Sequence, residues 1–169
     1  GLPGNNLDAR QETVNQISGV VPDAARRLNT IIGTLTETCP ELLNDDLSLI
    51  HGDLSINQVM VEENQVGLVD FDLMCVGDSH QDIASFLVRL ENLVYKKILK
   101  EETAKKAAQV FTRQYENARE TSLVPERLLW HQAAEYVRLS LYIIKQLKPG
   151  WRHALMNSIQ RAEDLLLRM

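Results

Sequence analysis

The chain has 169 residues, of which 44% are hydrophobic and 24% charged, with a formal net charge of −5. This length suits one domain with a single buried core, and the composition is that of a globular protein rather than a disordered one. The acidic balance excludes nucleic acid as the main partner, because phosphate contacts need clustered Lys and Arg. No apolar run approaches the ~20 residues of a membrane span, and no signal segment opens the chain. The isolated Cys39 and Cys75 lack metal-site and redox-motif spacing, so we expect reduced thiols and a cytoplasmic location.

The first half of the chain predicts one helix and a small β element. Residues 1–21 are polar and interrupted by proline and glycine, which predicts an irregular segment. Apolar residues at helical spacing predict a helix from Pro22 to Pro40, followed by a short strand at Leu47–Ile50. Two β-branched runs, Gln58–Val61 and Val66–Val69, then flank a polar break of four residues, which predicts a β-hairpin.

The second half predicts a loop and four helices. The loop spans Leu73–Ser79, and the helices begin near His80, Glu101, Pro125 and Trp151. The third of these, running to about residue 147, is apolar on much of its circumference, which is typical of a central helix. The expected fold is therefore mainly α with a small β-hairpin element, an α+β class, and residues 22–169 form its one domain.

The ends of the predicted hairpin carry the polar residues with the clearest chemistry. Asp53 precedes the first strand, Gln58 begins it, and Asp70 follows the second strand. Because a hairpin brings its two ends together, we expect these three side chains to converge as a cluster of hard oxygen ligands. Magnesium favours such a cluster and shares its remaining positions between water and phosphate. Phosphoryl transfer from a metal-bound nucleotide is the chemistry that suits this layout best.

Three short motifs occur around this hairpin in a specific order and spacing. They are His51-Gly52-Asp53 followed by Gln58, then Val69–Asp72, then the segment Gly77–Ala84. Together they resemble the aminoglycoside phosphotransferase family, whose fold is protein-kinase-like. The last segment is similar to that family's Gly-Asp-Pro-x-x-Asp-Leu-Ala run, with Ser79 in place of the proline.

The resemblance implies a role for each carboxylate near the hairpin. Asp53 would be the base that accepts or orients the hydrogen of the substrate hydroxyl, and Asp70 would bind magnesium that bridges the nucleotide phosphates. Gln58 stands where many members have Asn and would be the second ligand, although the neighbouring Asn57 is an alternative. Asp72 would help to hold metal or would make a structural hydrogen bond.

Other residues have both a functional and a structural interpretation. Met60 resembles the apolar floor beneath the nucleotide base, and its structural alternative is strand core. His51 and Asp82 are interpreted as structural, with Asp82 accepting backbone N–H bonds from the loop that carries Asp53, the predicted base. Three residues of the long helix line either the acceptor cleft or the core: Trp130, His131 and Glu135.

The layout matches the larger, C-terminal lobe of a kinase-like phosphotransferase. Nothing before His51 supplies a phosphate-covering loop or a strand lysine, so we expect the N-terminal nucleotide-binding lobe to be absent from this chain. The docking surface for that lobe, around Leu42, Leu43, Met60 and Phe71, should then expose apolar side chains and favour self-association.

The predicted function is a small-molecule kinase that uses Mg²⁺ and ATP or GTP. The acceptor would be a hydroxyl of an aminoglycoside, a sugar or an amino alcohol, and the isolated chain would be inactive. One alternative is a non-catalytic kinase-like domain that binds a ligand or partner. A second alternative is a stand-alone metal-dependent hydrolase, for which one carboxylate pair without additional His ligands is a poor two-metal site.

Overall fold

The computed structural model describes residues 7–41, 47–63 and 65–169. The chain divides into two compact units, residues 1–41 with 129–169 and residues 42–128. The described residues form six α-helices and four strands: α1 (Leu7–Ile17), α2 (Pro22–Glu37), β1 (Leu47–Ile50), β2 (Val59–Glu62), β3 (Gln65–Leu68), β4 (Cys75–Asp78), α3 (His80–Tyr95), α4 (Glu101–Arg119), α5 (Pro125–Gln146) and α6 (Trp151–Leu166). None of these helices is long and apolar enough to cross a membrane. The predicted class, mainly helical with a small antiparallel β element, is confirmed.

The first unit has its core where α2, α5 and α6 bury their apolar stripes. Pro22 is at the start of α2, where its missing N–H costs nothing because the first helical N–H groups lack intrahelical partners. On α5, Trp130 donates its indole N–H to the Leu35 carbonyl of α2 at 3.0 Å. Arg27 of α2 forms an ion pair with Glu163 of α6. These contacts join helices that are far apart in sequence, which local periodicity does not reveal.

Helix α1 corrects the prediction that residues 1–21 are irregular. It spans Leu7–Ile17, and Val14 is fully buried against the unit. Polar contacts supplement this single apolar anchor, because Arg10 donates to the Ala134 carbonyl at 2.6 Å and Gln11 donates to the Asn29 side chain at 2.6 Å. A search for an apolar stripe misses a helix held in this way.

The second unit contains two antiparallel strand pairs. Strand β1 pairs with β4 in the register Leu47↔Asp78 to Ile50↔Cys75. The prediction of a loop throughout Leu73–Ser79 was therefore wrong for its second half. Strand β4 includes a glycine and finds its partner some thirty residues earlier in the chain, so it lacks both a local hairpin signal and a clear alternating pattern.

The predicted hairpin is present as β2 and β3, and its turn is shorter than expected. The register runs from Val59↔Leu68 to Glu62↔Gln65, so two residues of the predicted polar break belong to the strands. Glu63 has a φ of +51°, in the left-handed region that tight hairpin turns use. The open end of the hairpin lies at Val59 and Leu68, next to the residues predicted to carry the chemistry.

A buried polar network joins β4, α3 and the start of α5 within the second unit. Asp78 accepts the backbone N–H of His80 at 2.9 Å, and its other oxygen lies 2.8 Å from the Arg127 guanidinium. The His80 ring bonds Asp78 through Nδ1 at 2.7 Å and accepts the Val124 N–H through Nε2 at 2.9 Å. His80 is therefore the tautomer protonated on Nδ1. This network holds the first residues of α3 in place. Helix α3 in turn carries side chains that contact the loop at residues 51–53.

Candidate active site

The base loop, His51–Asp53, follows β1 and is held by one carboxylate of α3. Asp82 accepts the His51 N–H at 2.7 Å and the Gly52 N–H at 2.9 Å. Burial raises the pKa of Asp82, and the two N–H bonds act in the opposite direction. The predicted structural role of Asp82 is confirmed by these bonds.

Gly52 brings the base loop against the segment that follows Asp72. Its φ is +82°, a conformation that side chains rarely adopt, and an added Cβ would collide with the Leu73 carbonyl. Glycine is therefore required here for two separate reasons. This close approach brings the backbone of Gly52, just before Asp53, against the backbone of Leu73, just after Asp72.

His51 makes a second link between the same two segments. Its Nε2 lies 2.9 Å from the Val69 carbonyl oxygen, so Nε2 carries the proton and donates it. The His51 ring also packs against Phe71, with 5.1 Å between ring centroids. Its Nδ1 is buried and has no hydrogen-bond partner among the described residues. The structural interpretation of His51 is confirmed, because its side chain fastens the base loop to the residues on either side of Asp70.

Asp53, the predicted base, lies half-buried beside an arginine of α3. Its Oδ1 is 3.4 Å from Nη2 of Arg89, and the two side chains are 29% and 23% exposed. The loop backbone on its N-terminal side is fixed by Asp82, as described above. Asp53 thus combines a held backbone with a side chain that solvent can reach.

The hairpin pairs the backbone of Gln58 with that of Val69, next to Asp70, whereas the predicted convergence of the Asp53, Gln58 and Asp70 side chains stays a prediction. The Val69 N–H donates to the Gln58 carbonyl oxygen at 3.0 Å, which extends the ladder one pair beyond the strands. Asp70, the next residue, has a φ of +67°, a left-handed conformation that Asp adopts more readily than most residues. The carboxylates of Asp70 and Asp72 are both exposed. Asp72 lies in a turn closed by the Met74 N–H and the Phe71 carbonyl at 3.0 Å.

The amide of Gln58 has a neighbour that the sequence did not predict. Ser55 donates its hydroxyl to Oε1 of Gln58 and also accepts the Asn57 N–H at 3.3 Å, capping a short 3₁₀ turn at Ile56–Gln58. The side chain of Asn57 is exposed. Gln58 is the residue that pairs with the strand leading to Asp70, which favours it over Asn57 as a ligand. The choice between the two stays a prediction.

The donor set near Asp70 fits magnesium. Among the residues that the structure describes, no three or more His, Cys, Asp or Glu side chains group closely enough to hold a metal ion. Magnesium does not need such a group, because it keeps several waters and takes one or two protein oxygens together with phosphate. The exposed Asp70 carboxylate and the Gln58 amide oxygen are hard oxygens of the required kind. Their roles as ligands, and that of Asp72, stay predictions.

Apolar side chains are exposed on the hairpin and on the segment after it. Met60, the predicted floor of the nucleotide site, is 60% exposed and Phe71 is 46% exposed. Met60 is therefore not strand core, which leaves the nucleotide-floor interpretation as the prediction. Leu42 and Leu43, predicted to belong to the same surface, lie outside the described residues.

The three residues proposed for an acceptor cleft are buried in the core of the first unit. Trp130 is 1% exposed and donates to Leu35, and His131 contacts the Trp130 ring edge-on with 4.9 Å between centroids. Glu135 is buried and forms a two-bond ion pair with Arg138, at 2.6 and 2.8 Å. The structure favours the core interpretation for all three.

Sequence reasoning missed two residues that shape this site, Arg89 and Ser55. Arg89 had a detectable signal, because it follows Asp82 by seven residues, which is close to two helical turns, and so shares its face of α3. Ser55 had a weaker one, since serine before a short turn is a common cap. In both cases the partner is identified only once the loop is placed.

Comparison with known proteins agrees with this geometry. The sequence profile of the phosphotransferase enzyme family matches residues 5–121. No curated protein sequence matches the chain. Two similar solved structures are an amicoumacin kinase, hAmiN, in complex with AMP-PNP, Ca²⁺ and Ami, and a choline/ethanolamine kinase family protein from Mesorhizobium loti.

The likeness to both structures extends over almost the whole of this chain. The TM-score is 0.67 for the first, with 14% identity over 90% of this chain and 48% of that one. It is 0.63 for the second, with 14% identity over 95% of this chain and 54% of that one. The chain thus spans about half the length of each structure and shares their kinase-like fold. From the profile match over most of its length, the chain belongs to the phosphotransferase enzyme family.

Proposed function

We propose that these residues form the catalytic part of a small-molecule kinase. It would transfer the γ-phosphoryl group of ATP or GTP to a hydroxyl of an aminoglycoside, a sugar or an amino alcohol. The observation that carries the proposal is the pair of links from His51 and Gly52, which hold the base loop against the segment containing Asp70. A phosphoryl-transfer site needs one protein group that binds the substrate hydroxyl and another that binds phosphate. The two groups must be held at a fixed separation.

In this mechanism Asp53 accepts the hydrogen of the acceptor hydroxyl. The hydroxyl oxygen forms a bond to the γ-phosphorus while the bond from that phosphorus to the bridging oxygen breaks, and the nucleoside diphosphate leaves with the electron pair. The hydroxyl proton passes to the Asp53 carboxylate. Because the transition state is loose in most analyses, orienting the hydroxyl matters at least as much as removing its proton.

On the phosphate side, Asp70 and Gln58 would hold Mg²⁺, with Asp72 as a further candidate. When bound, the ion would neutralise charge on the phosphate oxygens. Met60 would contact the nucleotide base through its exposed side chain. The similar kinase solved with AMP-PNP and Ca²⁺ supports the use of a nucleotide and a divalent cation in this fold.

The test uses the complete protein that contains these residues, with magnesium nucleotide and a panel of aminoglycosides, sugars and amino alcohols. Release of nucleoside diphosphate measures turnover. Asp53→Asn should lower turnover by ~10²–10⁴-fold with nearly unchanged nucleotide affinity, the range for a lost general base. Asp70→Ala should abolish magnesium-dependent turnover.

Glu62→Gln is the matched control, because Glu62 is exposed at the far end of the hairpin and should leave turnover unchanged. Full activity of Asp70→Ala would contradict the proposed metal role. If the wild type transfers phosphate to none of the acceptors yet binds one of them, the protein is a ligand-binding domain instead.

A further inference from the structure

Helix α3 presents two charged side chains to the base loop from one face. Asp82, in its first turn, accepts the His51 and Gly52 N–H groups, and Arg89 lies about two turns later. Arg89 places Nη2 3.4 Å from Oδ1 of Asp53. The same rigid element therefore contacts the backbone that precedes Asp53 and the carboxylate of Asp53 itself.

We propose that Arg89 is a positioning residue for Asp53. The proposal rests on the function given above. Asp82 fixes the loop backbone but leaves the side-chain torsions of Asp53 open, and a guanidinium bound to one carboxylate oxygen restricts those torsions. The carboxylate is then held ready for the acceptor hydroxyl before substrate arrives. Misplacement of a reacting group by about 1 Å can cost as much as 10²-fold in rate, so this restriction is large enough to matter.

The energetics of the pair support positioning over stability. Both side chains are about a quarter exposed, so solvent screens this ion pair and its contribution to folding is small. The Arg127–Asp78 pair in the same unit is different, because Asp78 is 1% exposed and also bonds His80. Arg127 thus joins a buried structural network, whereas Arg89 reaches a carboxylate that substrate must contact.

The decisive experiment measures kcat and KM of the complete protein carrying Arg89→Gln, alone and combined with Asp53→Asn. Arg89→Gln should lower kcat by ~10- to 100-fold with an unchanged KM for nucleotide. Arg89→Lys, which keeps the charge and loses the planar fork, should recover part of this loss. In the Asp53→Asn background, Arg89→Gln should lower the residual kcat no further, because Arg89 acts through Asp53.

Arg27→Gln is the control for a structural role, because Arg27 pairs with Glu163 of α6 within the first unit. It should lower the melting temperature and leave kcat per folded molecule unchanged. If Arg89→Gln fails to fold, Arg89→Lys carries the same comparison, with an intermediate loss that disappears in the Asp53→Asn background.

Each other outcome has a defined meaning. Wild-type kcat in folded Arg89→Gln would overturn the positioning role and leave the proposed function intact. An equal loss with and without Asp53 would also overturn it, because Arg89 would then act directly on the transferred phosphate. No transfer to any acceptor by the wild type would refute the proposed function, and the positioning role would fall with it.

Discussion

Replacing Asp82 by alanine should destabilise the protein through two backbone N–H groups rather than through lost packing. The Asp82 carboxylate accepts the N–H groups of His51 and Gly52, and alanine removes both acceptors. A hydrogen bond to a charged group contributes about 1.5–3 kcal/mol. Burial of the carboxylate, which raises its pKa, opposes this gain, so the lower end of the sum applies. We expect the free energy of unfolding to fall by about 3 kcal/mol.

Urea and thermal unfolding measure this loss directly. For a protein of this size, about 3 kcal/mol corresponds to a melting temperature lower by roughly 6–12 °C. Asp82→Asn keeps one acceptor oxygen and should fall between wild type and alanine. Asp164→Asn is the matched control, because Asp164 is exposed on α6 and bonds only the nearby Gln160 among the described contacts, at 2.9 Å. An alanine variant within ~0.5 kcal/mol of wild type, the usual range for surface changes, would refute the reasoning.

The pH dependence of the same variant tests which effect dominates at Asp82. Because its pKa is raised in the folded state, the folded carboxyl binds its proton more tightly than the unfolded one does. This contribution to stability is complete below the unfolded pKa of about 3.9 and is lost as pH rises through the folded value. The stability gap between wild type and Asp82→Ala should therefore narrow as pH rises through that window. A gap that widens would mean that the two N–H bonds outweigh burial.

Three further predictions concern the metal, the first unit and the chain as a whole. Gln58→Asn should retain part of the turnover and require more magnesium, since the amide oxygen is the same on a shorter side chain; an unchanged magnesium dependence would remove Gln58 as a ligand. Trp130→Phe should lower the unfolding free energy by about 1–3 kcal/mol, because the buried Leu35 carbonyl loses its donor, and it should leave the acceptor KM unchanged. Residues 1–169 alone should unfold cooperatively yet bind magnesium nucleotide no tighter than about millimolar. Calorimetric titration tests the last claim, and micromolar affinity would contradict it.

Local patterns predicted those parts of the fold that depend on residues close in sequence. The hairpin, β1 and the helices from α2 to α6 have apolar spacing or turn residues that identify them within a few positions. Strand β4 and helix α1 were missed because local patterns do not reveal contacts between residues far apart in sequence. Each is stabilised by distant partners, β4 by strand β1 and α1 by the Arg10 bond to the Ala134 carbonyl on α5.

In the candidate site, too, contacts between residues close in sequence could be predicted and contacts between distant residues could not. Backbone pairing of Gln58 with Val69, next to Asp70, follows from hairpin geometry alone, so the sequence could predict it. The pairing of Arg89 with Asp53 does not follow from hairpin geometry, because the face of α3 that Asp82 and Arg89 share identifies the partner only once the base loop is placed against it.

The two halves of the site are held by different kinds of structure, and this has a consequence for catalysis. The base side rests on α3, a regular helix that binds both the backbone next to Asp53 and its carboxylate. Asp70, on the metal side, is exposed at the end of a two-stranded hairpin, and such hairpins are only marginally stable by themselves. The links that His51 and Gly52 make to the segment around Asp70 therefore transmit the rigidity of α3 to the phosphate side. Since in-line transfer depends on the distance between acceptor and phosphate, we expect these two residues to influence the rate of the proposed reaction without contacting either substrate.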